Sequence, residues 1–389
     1  MEAEKPSVLP LSLAESFATL PDPRKLLSRI EFRLVDVLVL AVVAVICGAD
    51  TWDEIALFVE GRERWWVDRL GLTAGRTPSL STFKSLLPRI KPRAFLACFE
   101  AFARDLHGPL TPGTHVALDG KAHRGSWRHG LGPLTTVHAW ATERRILLGQ
   151  RSVEPGTGEK TALKTLLAEM DLEGAVLTID ANGASKPLVA LIVGEKKADY
   201  AIAIKANQRK LHEGIAVRML APSRGVEDPD VIRRETAEEG HGRVEVRTQW
   251  VAPASSVPET AGWVGAQSVI VQRRVVTKAE ARREEWRYFV SSLACANATA
   301  LEGVLRGHWG IENELHWHLD VTFVEDDSRL RDRATQEIFS VLRRIALTLA
   351  THAPQPRPNR KVSLANKRLY ASINDDYLDI LLSCKIPGR

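Results

Sequence analysis

The chain has 389 residues, of which 44% are hydrophobic and 26% are charged. This composition excludes a disordered chain and supplies apolar residues for more than one core, since single cores usually stop growing at about 250–300 residues. Lysine and arginine number 53 against 48 aspartates and glutamates, a net charge of only +5, so any basic surface must be local.

Residues 11–106 are predicted to form a helical domain. The run "LVDVLVLAVVAVICG" at 34–48 carries Asp36 and is shorter than the roughly 20 residues that a bilayer span needs, so it predicts a buried helix and no membrane association. Thr51 and Glu54 have the spacing of a capping box, and Ser81 heads another helical segment in a similar way. The segment "HGPLTPGTH" at 107–115 is rich in proline and glycine and ends this domain.

The cysteines and the N-terminus point to a reducing compartment. Cys47, Cys98, Cys295 and Cys384 are far apart and lack the spacing of a zinc site or a disulfide framework. No segment at the N-terminus has the order of a signal peptide. We therefore expect a cytoplasmic protein.

From residue 112 to 350 the pattern changes to strands and helices in alternation. Three strands precede a helix, and strand, helix, strand and helix then follow up to about residue 220. An antiparallel trio followed by crossover units predicts an α/β, ribonuclease-H-like mixed sheet covered by helices. In the ribonuclease-H-like version of that order the first and fourth strands are neighbours, which would place Asp119 at the end of "VALD" beside Asp180 at the end of "LTID".

Two further segments are distinguished by composition. Residues 222–295 contain several β-type runs and are interpreted as a β-rich insertion that forms a small sheet. Residues 351–389 are predicted to be a basic C-terminal extension. Between 331 and 370, nine lysines and arginines stand against two acids, which suits either a polyanion-binding surface or an ordinary solvated one.

The segment "GHWGIENELHWHLD" at 307–320 is predicted to lie on one helix. Ile311, Leu315, Leu319 and Thr322 form an apolar stripe at helical spacing, which indicates a face turned to a core. Glu312 lies at the edge of that stripe and shares a second face with Trp309 and His316. Trp317 is interpreted as a core residue, because large aromatic side chains on amphipathic helices usually are.

Carboxylates gathered from two strand ends and a helix would repel one another. Each close pair costs about 4 kcal/mol at 4 Å with an effective dielectric constant of 20. Two Mg²⁺ ions, or Mn²⁺ in their place, would remove the repulsion and keep open positions for phosphate oxygens and water. The alternative is that Asp119 and Asp180 are turn or cap residues and Glu312 an exposed helix residue. Glu325 is the nearest rival for the third ligand.

Such a pair of cations suits phosphodiester chemistry, so other polar side chains are candidates for contacts with DNA. Lys121 and Arg124 follow Asp119 and could hold phosphate, or form an exposed loop pair. Lys205, Asn207 and Gln208 could bind the DNA backbone, or cap the next helix. The remaining candidates are His241 and Arg243 in the insertion, Trp309 as a platform for an opened base, Asn313, and Arg329 as a partner of the acidic turn or of DNA.

Six ordered motifs resemble one known family. They are "LDGKAHRGS", "LTIDANGASK", "DYAIAIKANQ", "HGRVEVR", "YFVSSL" and "HWGIENELHWHLDVTFVEDDSRLR". Together with "LPDPRK" and the apolar helix near the N-terminus, they are similar to DDE insertion-sequence transposases of the ISAs group, which includes the H-repeat-associated proteins. The resemblance covers about residues 13–350.

This resemblance implies a function and a set of site residues. The catalytic and metal-binding acids of the family fall on Asp119, Asp180 and Glu312, the positions that the strand order and helix pattern also select. The resemblance implies cleavage at the ends of an insertion sequence and joining to target DNA, with double-stranded DNA as partner and a homodimer on paired ends. A DNA partner also implies association with the nucleoid in the cytoplasm. It also implies that residues 11–106 are the helical domain that accompanies the catalytic domain.

The chain departs from the wider relatives around these acids. The pattern Y-x2-R-x3-E-x6-K is replaced by Leu305, His308 and Leu319, which we interpret as a difference of branch. After the second aspartate, Ala184 and Ser185 stand at the positions of the usual Cys or Thr and Gln. Two alternatives therefore stay open: a decayed or domesticated homologue that binds DNA without cutting it, and a metal-dependent nuclease without strand transfer.

Overall fold

The computed structural model describes residues 11–25, 30–128, 132–240, 242–278, 281–357 and 359–383. The helical region at the N-terminus is confirmed. Its helices are α1 (Leu11–Ala18), α2 (Leu34–Ile46), α3 (Trp52–Glu60), α4 (Glu63–Leu70), α5 (Leu80–Leu86) and α6 (Pro92–His107).

Helix α2 is the buried centre of this region, as its composition predicts. Its side chains are buried almost without exception, and the one acid, Asp36, pairs with Arg33 at 2.7 Å. No helix among the described residues is long and apolar enough to cross a membrane. The capping box of Thr51 and Glu54 begins α3, while α5 is preceded by Ser79 and not by Ser81 as predicted.

The rest of the chain forms a mixed α/β unit around a nine-stranded sheet with the order β3-β2-β1-β4-β5-β9-β8-β7-β6. The first five strands are β1 (His115–Arg128), β2 (Gly132–Ala141), β3 (Ile146–Ser152), β4 (Val176–Ile179) and β5 (Asp199–Ile204). Strand β4 is parallel to both β1 and β5, whereas β1, β2 and β3 pair antiparallel. This is the predicted ribonuclease-H-like order, so the fold class is confirmed.

The inserted strands do not form a small sheet of their own, so that expectation is wrong. They are β6 (Ile232–Gly240), β7 (Arg243–Pro253), β8 (Ser268–Lys278) and β9 (Ala281–Ser291). Strand β9 pairs antiparallel with β5, with Ile202 opposite Val290, and thereby extends the main sheet. The exposed edge of β5 offers unpaired backbone groups, and pairing it satisfies them.

Helices cover the sheet and close the core. They are α7 (Glu159–Glu169), α8 (Lys186–Ala190), α9 (Arg209–Ser223), α10 (Ala298–Gly307) and α11 (Arg333–His352). Helix α7 packs against β2 and β3, and α10 packs against β1, β4 and β5. One apolar cluster runs from Leu13 to Leu382, so the N-terminal helices and the sheet share a core.

The C-terminal residues pack onto the N-terminal helices. They form α12 (Leu364–Ile373) and α13 (Asp375–Ser383), and α12 contacts α2 and α11. Arg368 donates hydrogen bonds to the carbonyl oxygens of Val45 and Ile46 at the end of α2, at 3.0 and 3.1 Å, and to that of Thr322. A guanidinium at a helix C-terminus meets carbonyl groups that lack intrahelical partners.

Four members of the basic block at 331–370 are buried, so neither a polyanion-binding surface nor a solvated surface describes them. They are Arg343, Arg344, Lys367 and Arg368. Arg343 pairs with Asp50 at 3.3 Å, and Lys367 donates to the carbonyl oxygens of Ala350 and Ala353. Their charged groups meet acids and carbonyl groups in the interior.

Candidate active site

Two aspartates leave adjacent strands at the same edge of the sheet. Leu118 of β1 lies opposite Ile179 of β4 in the parallel pairing, and Asp119 and Asp180 are the next residues in each strand direction. Strand β4 ends there, whereas β1 continues and pairs Asp119 with His138 of β2. The predicted adjacency of the two strands therefore brings the two carboxylates side by side.

Asp180 also makes the turn that the alternative interpretation assigns to it. Its Oδ1 accepts hydrogen bonds from the backbone amides of Asn182 and Gly183, at 3.0 and 3.1 Å. Asn207 and Gln208 then donate to the carbonyl oxygens of Ala181 and Ala184. These two amide side chains hold the Asp180 turn, and no side-chain hydrogen bond caps α9.

Glu312 reaches the same edge from the segment after α10. This segment is not the regular helix that was predicted, because residues Ile311–His316 and His318–Thr322 form wide turns of the π type. The buried residues of the segment recur every fourth position, at Ile311, Leu315, Leu319 and Phe323. The wider turn places Trp317 on the outside, where it is 51% exposed, so its interpretation as a core residue is wrong.

The charge of Asp180 acts on both of the other acids. Burial raises the pKa of Asp119 from 3.8 to about 7; the Gly120 amide opposes this rise, and the charges of Asp180 and Glu312 add to it. Partial burial likewise raises the pKa of Glu312; Arg287 and Lys205 oppose this rise, and Asp180 adds to it. Like charges that repel in one place favour the binding of a cation.

A fourth acid, Glu159, lies at this site and was missed in the sequence. It is the first residue of α7, and burial followed by the charge of Asp180 raises its pKa. A Cβ atom on Gly120 would lie 2.8 Å from Cδ of Glu159. The glycine after Asp119 in "LDGK" thus leaves the space that this carboxylate occupies, which is the signal that could have identified it.

The acids are not arranged as a finished metal site. Among the described residues, no three histidine, cysteine, aspartate or glutamate side chains converge closely enough to hold a metal ion. The donor set nevertheless consists of carboxylate oxygens, which Mg²⁺ and Mn²⁺ prefer. Burial raises the pKa of Asp119 and of Glu312, and the charges of Arg287 and Lys205 only partly oppose the rise at Glu312.

Glu325, the rival third ligand, is buried in a different place. It is 1% exposed and forms a two-point ion pair with Arg344, and its Oε2 lies 3.5 Å from Nδ1 of His123. Burial alone would raise the pKa of Glu325, but Arg344 and His123 hold it well below its usual range. Its lone pairs are committed to these partners, so it is unavailable as a ligand.

Lys121 is also committed to internal partners. Its ammonium is buried, hydrogen-bonded to Asp320, and within 3.3 Å of Asp326 and 3.7 Å of Glu325. An ammonium already surrounded by three acids does not fit the predicted role of holding DNA phosphate. Arg124 does extend into solvent, with its side chain 86% exposed.

The other predicted DNA contacts occupy different parts of the surface. Lys205, Arg243, Asn313 and Arg329 are exposed, and His241 lies outside the described residues. Trp309 is 37% exposed, and the guanidinium of Arg287 lies 4.3 Å from the centre of its ring. Arg243, Trp309 and Asn313 line a cavity of about 500 Å³ between the inserted strands and α10.

A chain of polar side chains runs under the site. His138 Nδ1 lies 3.0 Å from His316 Nε2, and His316 Nδ1 lies 3.6 Å from Asp119 Oδ2. His123 joins the chain through Thr136, whose Oγ1 is 2.9 Å from His123 Nε2 and 3.1 Å from His138 Nε2. The sequence contains no spacing that predicts this arrangement.

Comparison with known proteins gives the same assignment across almost the whole chain. A family model described as "Transposase DDE domain" matches residues 110–349, and one described as "DDE_Tnp_1-associated" matches residues 14–103. The chain is 34% identical over 392 residues to "Putative transposase YncI" of Escherichia coli O157:H7, covering 97% of this chain and 96% of that protein. It is 30% identical over 379 residues to "H repeat-associated putative transposase YhhI" of Escherichia coli K12, covering 95% and 97%.

The family suggested by the sequence motifs is thus confirmed by matches that span both the helical region and the mixed sheet. The strand order, the adjacent β1 and β4, and the helical N-terminal region agree with it. The chain belongs to the DDE transposase family, with the associated N-terminal domain.

Proposed function

We propose that this transposase cleaves DNA at the ends of an insertion sequence and joins the freed 3′ hydroxyl to target DNA. The observation that supports the proposal is the grouping of Asp119, Asp180 and Glu312 at the carboxyl edge of parallel strands, where burial and the charge of Asp180 raise the pKa of both Asp119 and Glu312. Open α/β sheets bind ligands at the carboxyl ends of their strands. The family match supplies DNA as the substrate class.

The three acids would hold two divalent cations, Mg²⁺ or Mn²⁺. Bound cations would activate water and stabilise the charge that develops on the leaving oxygen. The chain contributes the orientation: the turn after β4 fixes one oxygen of Asp180, and the wide turn at Ile311–His316 directs Glu312 to the sheet edge. Closure of the three acids around the cations is part of this proposal.

The exposed cationic and aromatic side chains around the site would bind the DNA. Arg124, Lys205 and Arg329 would contact phosphates, which gives affinity that falls as salt rises. Arg243, Trp309 and Asn313, in the cavity beside the inserted strands, would contact the end of the element. Assembly as a homodimer on two paired ends, and a cytoplasmic location at the nucleoid, belong to the same proposal.

The test is an incubation of the protein with a labelled element end and a target plasmid in Mg²⁺. We expect a joined product, and loss of cleavage by at least 100-fold in Asp119→Asn, Asp180→Asn and Glu312→Gln. Glu314→Gln is the matched control, because Glu314 lies two residues from Glu312 and pairs with Arg145 instead.

Two other outcomes of this experiment would each support one of the alternative functions. A cut but unjoined product would identify a nuclease without strand transfer. DNA that is bound and stays intact would identify a homologue that has lost catalysis, and cleavage that survives all three acid substitutions would refute the assignment of the site.

A further inference from the structure

The side chain of His316 lies between the candidate active site and the buried core. It is held in the wide turn Ile311–His316, and its side chain is only 12% exposed. Its two ring nitrogens face different partners, since Nε2 lies 3.0 Å from Nδ1 of His138 and Nδ1 lies 3.6 Å from Oδ2 of Asp119. The position of the proton on each ring therefore determines whether Asp119 faces a donor or an acceptor nitrogen.

Arg344, at the buried end of this series of hydrogen-bonded side chains, determines the positions of the two ring protons. Arg344 Nη2 lies 3.4 Å from Nε2 of His138, and a guanidinium can only donate. His138 Nε2 must therefore accept, so the proton of His138 is on Nδ1 and is donated to Nε2 of His316. Since that nitrogen accepts, the proton of His316 is on Nδ1, the atom that points at Asp119.

Both rings are neutral in this arrangement. An imidazolium carries a proton on both ring nitrogens, whereas Nε2 of His138 and Nε2 of His316 each accept a hydrogen bond and so carry no proton. A neutral ring with one proton has a fixed direction of donation. The direction of hydrogen-bond donation is therefore defined from Arg344 through His138 to His316.

We propose that His316 is a positioning residue for Asp119: its Nδ1–H orients the carboxylate by donating to Oδ2 and leaves Oδ1 directed towards a divalent cation. This inference rests on the proposed function, since it takes Asp119 to be a cation ligand. The present separation of 3.6 Å is longer than a hydrogen bond, and a shift of a few tenths of an ångström closes it. Outer groups that orient metal ligands typically change metal affinity by about 10- to 100-fold.

Two substitutions of His316 separate its contact with Asp119 from its contact with His138. In His316→Asn, the side-chain amide reaches the position of Nδ1 and keeps a donor for Asp119 while losing the acceptor for His138. In His316→Gln, the carbonyl reaches the position of Nε2 and keeps the acceptor for His138 while losing the donor. Both variants remove the ring, so they serve as controls for each other.

The measurement is Mn²⁺ affinity by isothermal titration calorimetry on the full chain, with thermal unfolding recorded for each variant. We expect His316→Gln to bind Mn²⁺ about 10- to 100-fold more weakly than the unaltered protein, and His316→Asn to stay within about threefold of it. Asp119→Asn tests the underlying function separately. If Asp119→Asn leaves Mn²⁺ affinity unchanged, the proposed site fails.

If Asp119→Asn abolishes binding while His316→Gln binds normally, the positioning role is refuted and the proposed function stands. Equal weakening in both His316 variants would also overturn the inference, because a merely structural ring would give that result. Nitrogen-15 NMR of histidine-labelled, unaltered protein gives a further readout independent of any variant. We expect the proton of His316 on Nδ1, and a proton on Nε2 would refute the chain of donors.

Discussion

Removing the charge of Asp119 should stabilise the protein when no metal is present. Burial and the neighbouring acids raise the pKa of this carboxyl from 3.8 to about 7 in the folded state. A carboxyl with a raised pKa binds more protons folded than unfolded, so stability falls as pH rises between these two values. Since each pKa unit is worth about 1.4 kcal/mol, the full cost above pH 7 is about 4 kcal/mol.

The assay is urea unfolding of the unaltered protein and of Asp119→Asn, in EDTA, at pH 5 and pH 8. At pH 5 the carboxyl is largely protonated in the folded state and most of the cost is absent. We expect the advantage of Asp119→Asn to grow by about 2.5 kcal/mol between the two pH values. Glu314→Gln serves as the control, since Glu314 pairs with Arg145 outside the group of acids.

A divalent cation should reduce or reverse the stability advantage of Asp119→Asn over the unaltered protein. Mn²⁺ added at pH 8 is expected to stabilise the unaltered protein and to have little effect on Asp119→Asn, because ligand binding to the folded state adds stability only where the site exists. An advantage of Asp119→Asn that is the same at both pH values would contradict the reasoning. It would mean that neither burial nor the neighbouring acids raise the pKa of Asp119 in the folded chain.

Three further predictions concern the surroundings of the site. Gly120→Ala places a methyl group against the Glu159 carboxylate, so we expect weaker Mn²⁺ binding by calorimetry with little loss of stability; unchanged affinity would exclude Glu159 from the site. Arg344→Met leaves Glu325 charged and buried, and should cost about 3–5 kcal/mol in urea unfolding, whereas a loss below about 1 kcal/mol would contradict the buried pair. Lys205→Ala should weaken DNA binding and reduce the salt slope of log affinity by about one, measured by fluorescence anisotropy, and an unchanged slope would rule out a phosphate contact.

Patterns that repeat along the chain predicted the framework of this fold. The short apolar runs that end in "VALD" and "LTID" predicted strands, and the ribonuclease-H-like version of the order of strands and helices placed β1 beside β4. The apolar run at 34–48 predicted the buried helix α2. Such predictions succeed because burial of apolar side chains determines both the local pattern and the packing.

Features that depend on contacts between distant residues could not be predicted in this way. Strand β6 is mostly exposed and carries several charged residues, so the segment lacks the apolar alternation of a buried strand. The wide turns at Ile311–His316 pack against β1, and a regular helix was predicted in their place. The buried roles of Lys121 and Arg344 depend on acids about 200 and 19 residues away in the chain.

The hydrogen bonds of Arg368 have a consequence for shortened copies of the gene. Through these hydrogen bonds, the Arg368 guanidinium links the end of α2 in the N-terminal domain to the carbonyl of Thr322, ten residues beyond Glu312. A copy that stops before α12 would retain every candidate catalytic acid but would lose the hydrogen bonds of Arg368. Truncation near the C-terminus is therefore expected to inactivate the protein by loosening the segment that carries its glutamate, far from the break itself.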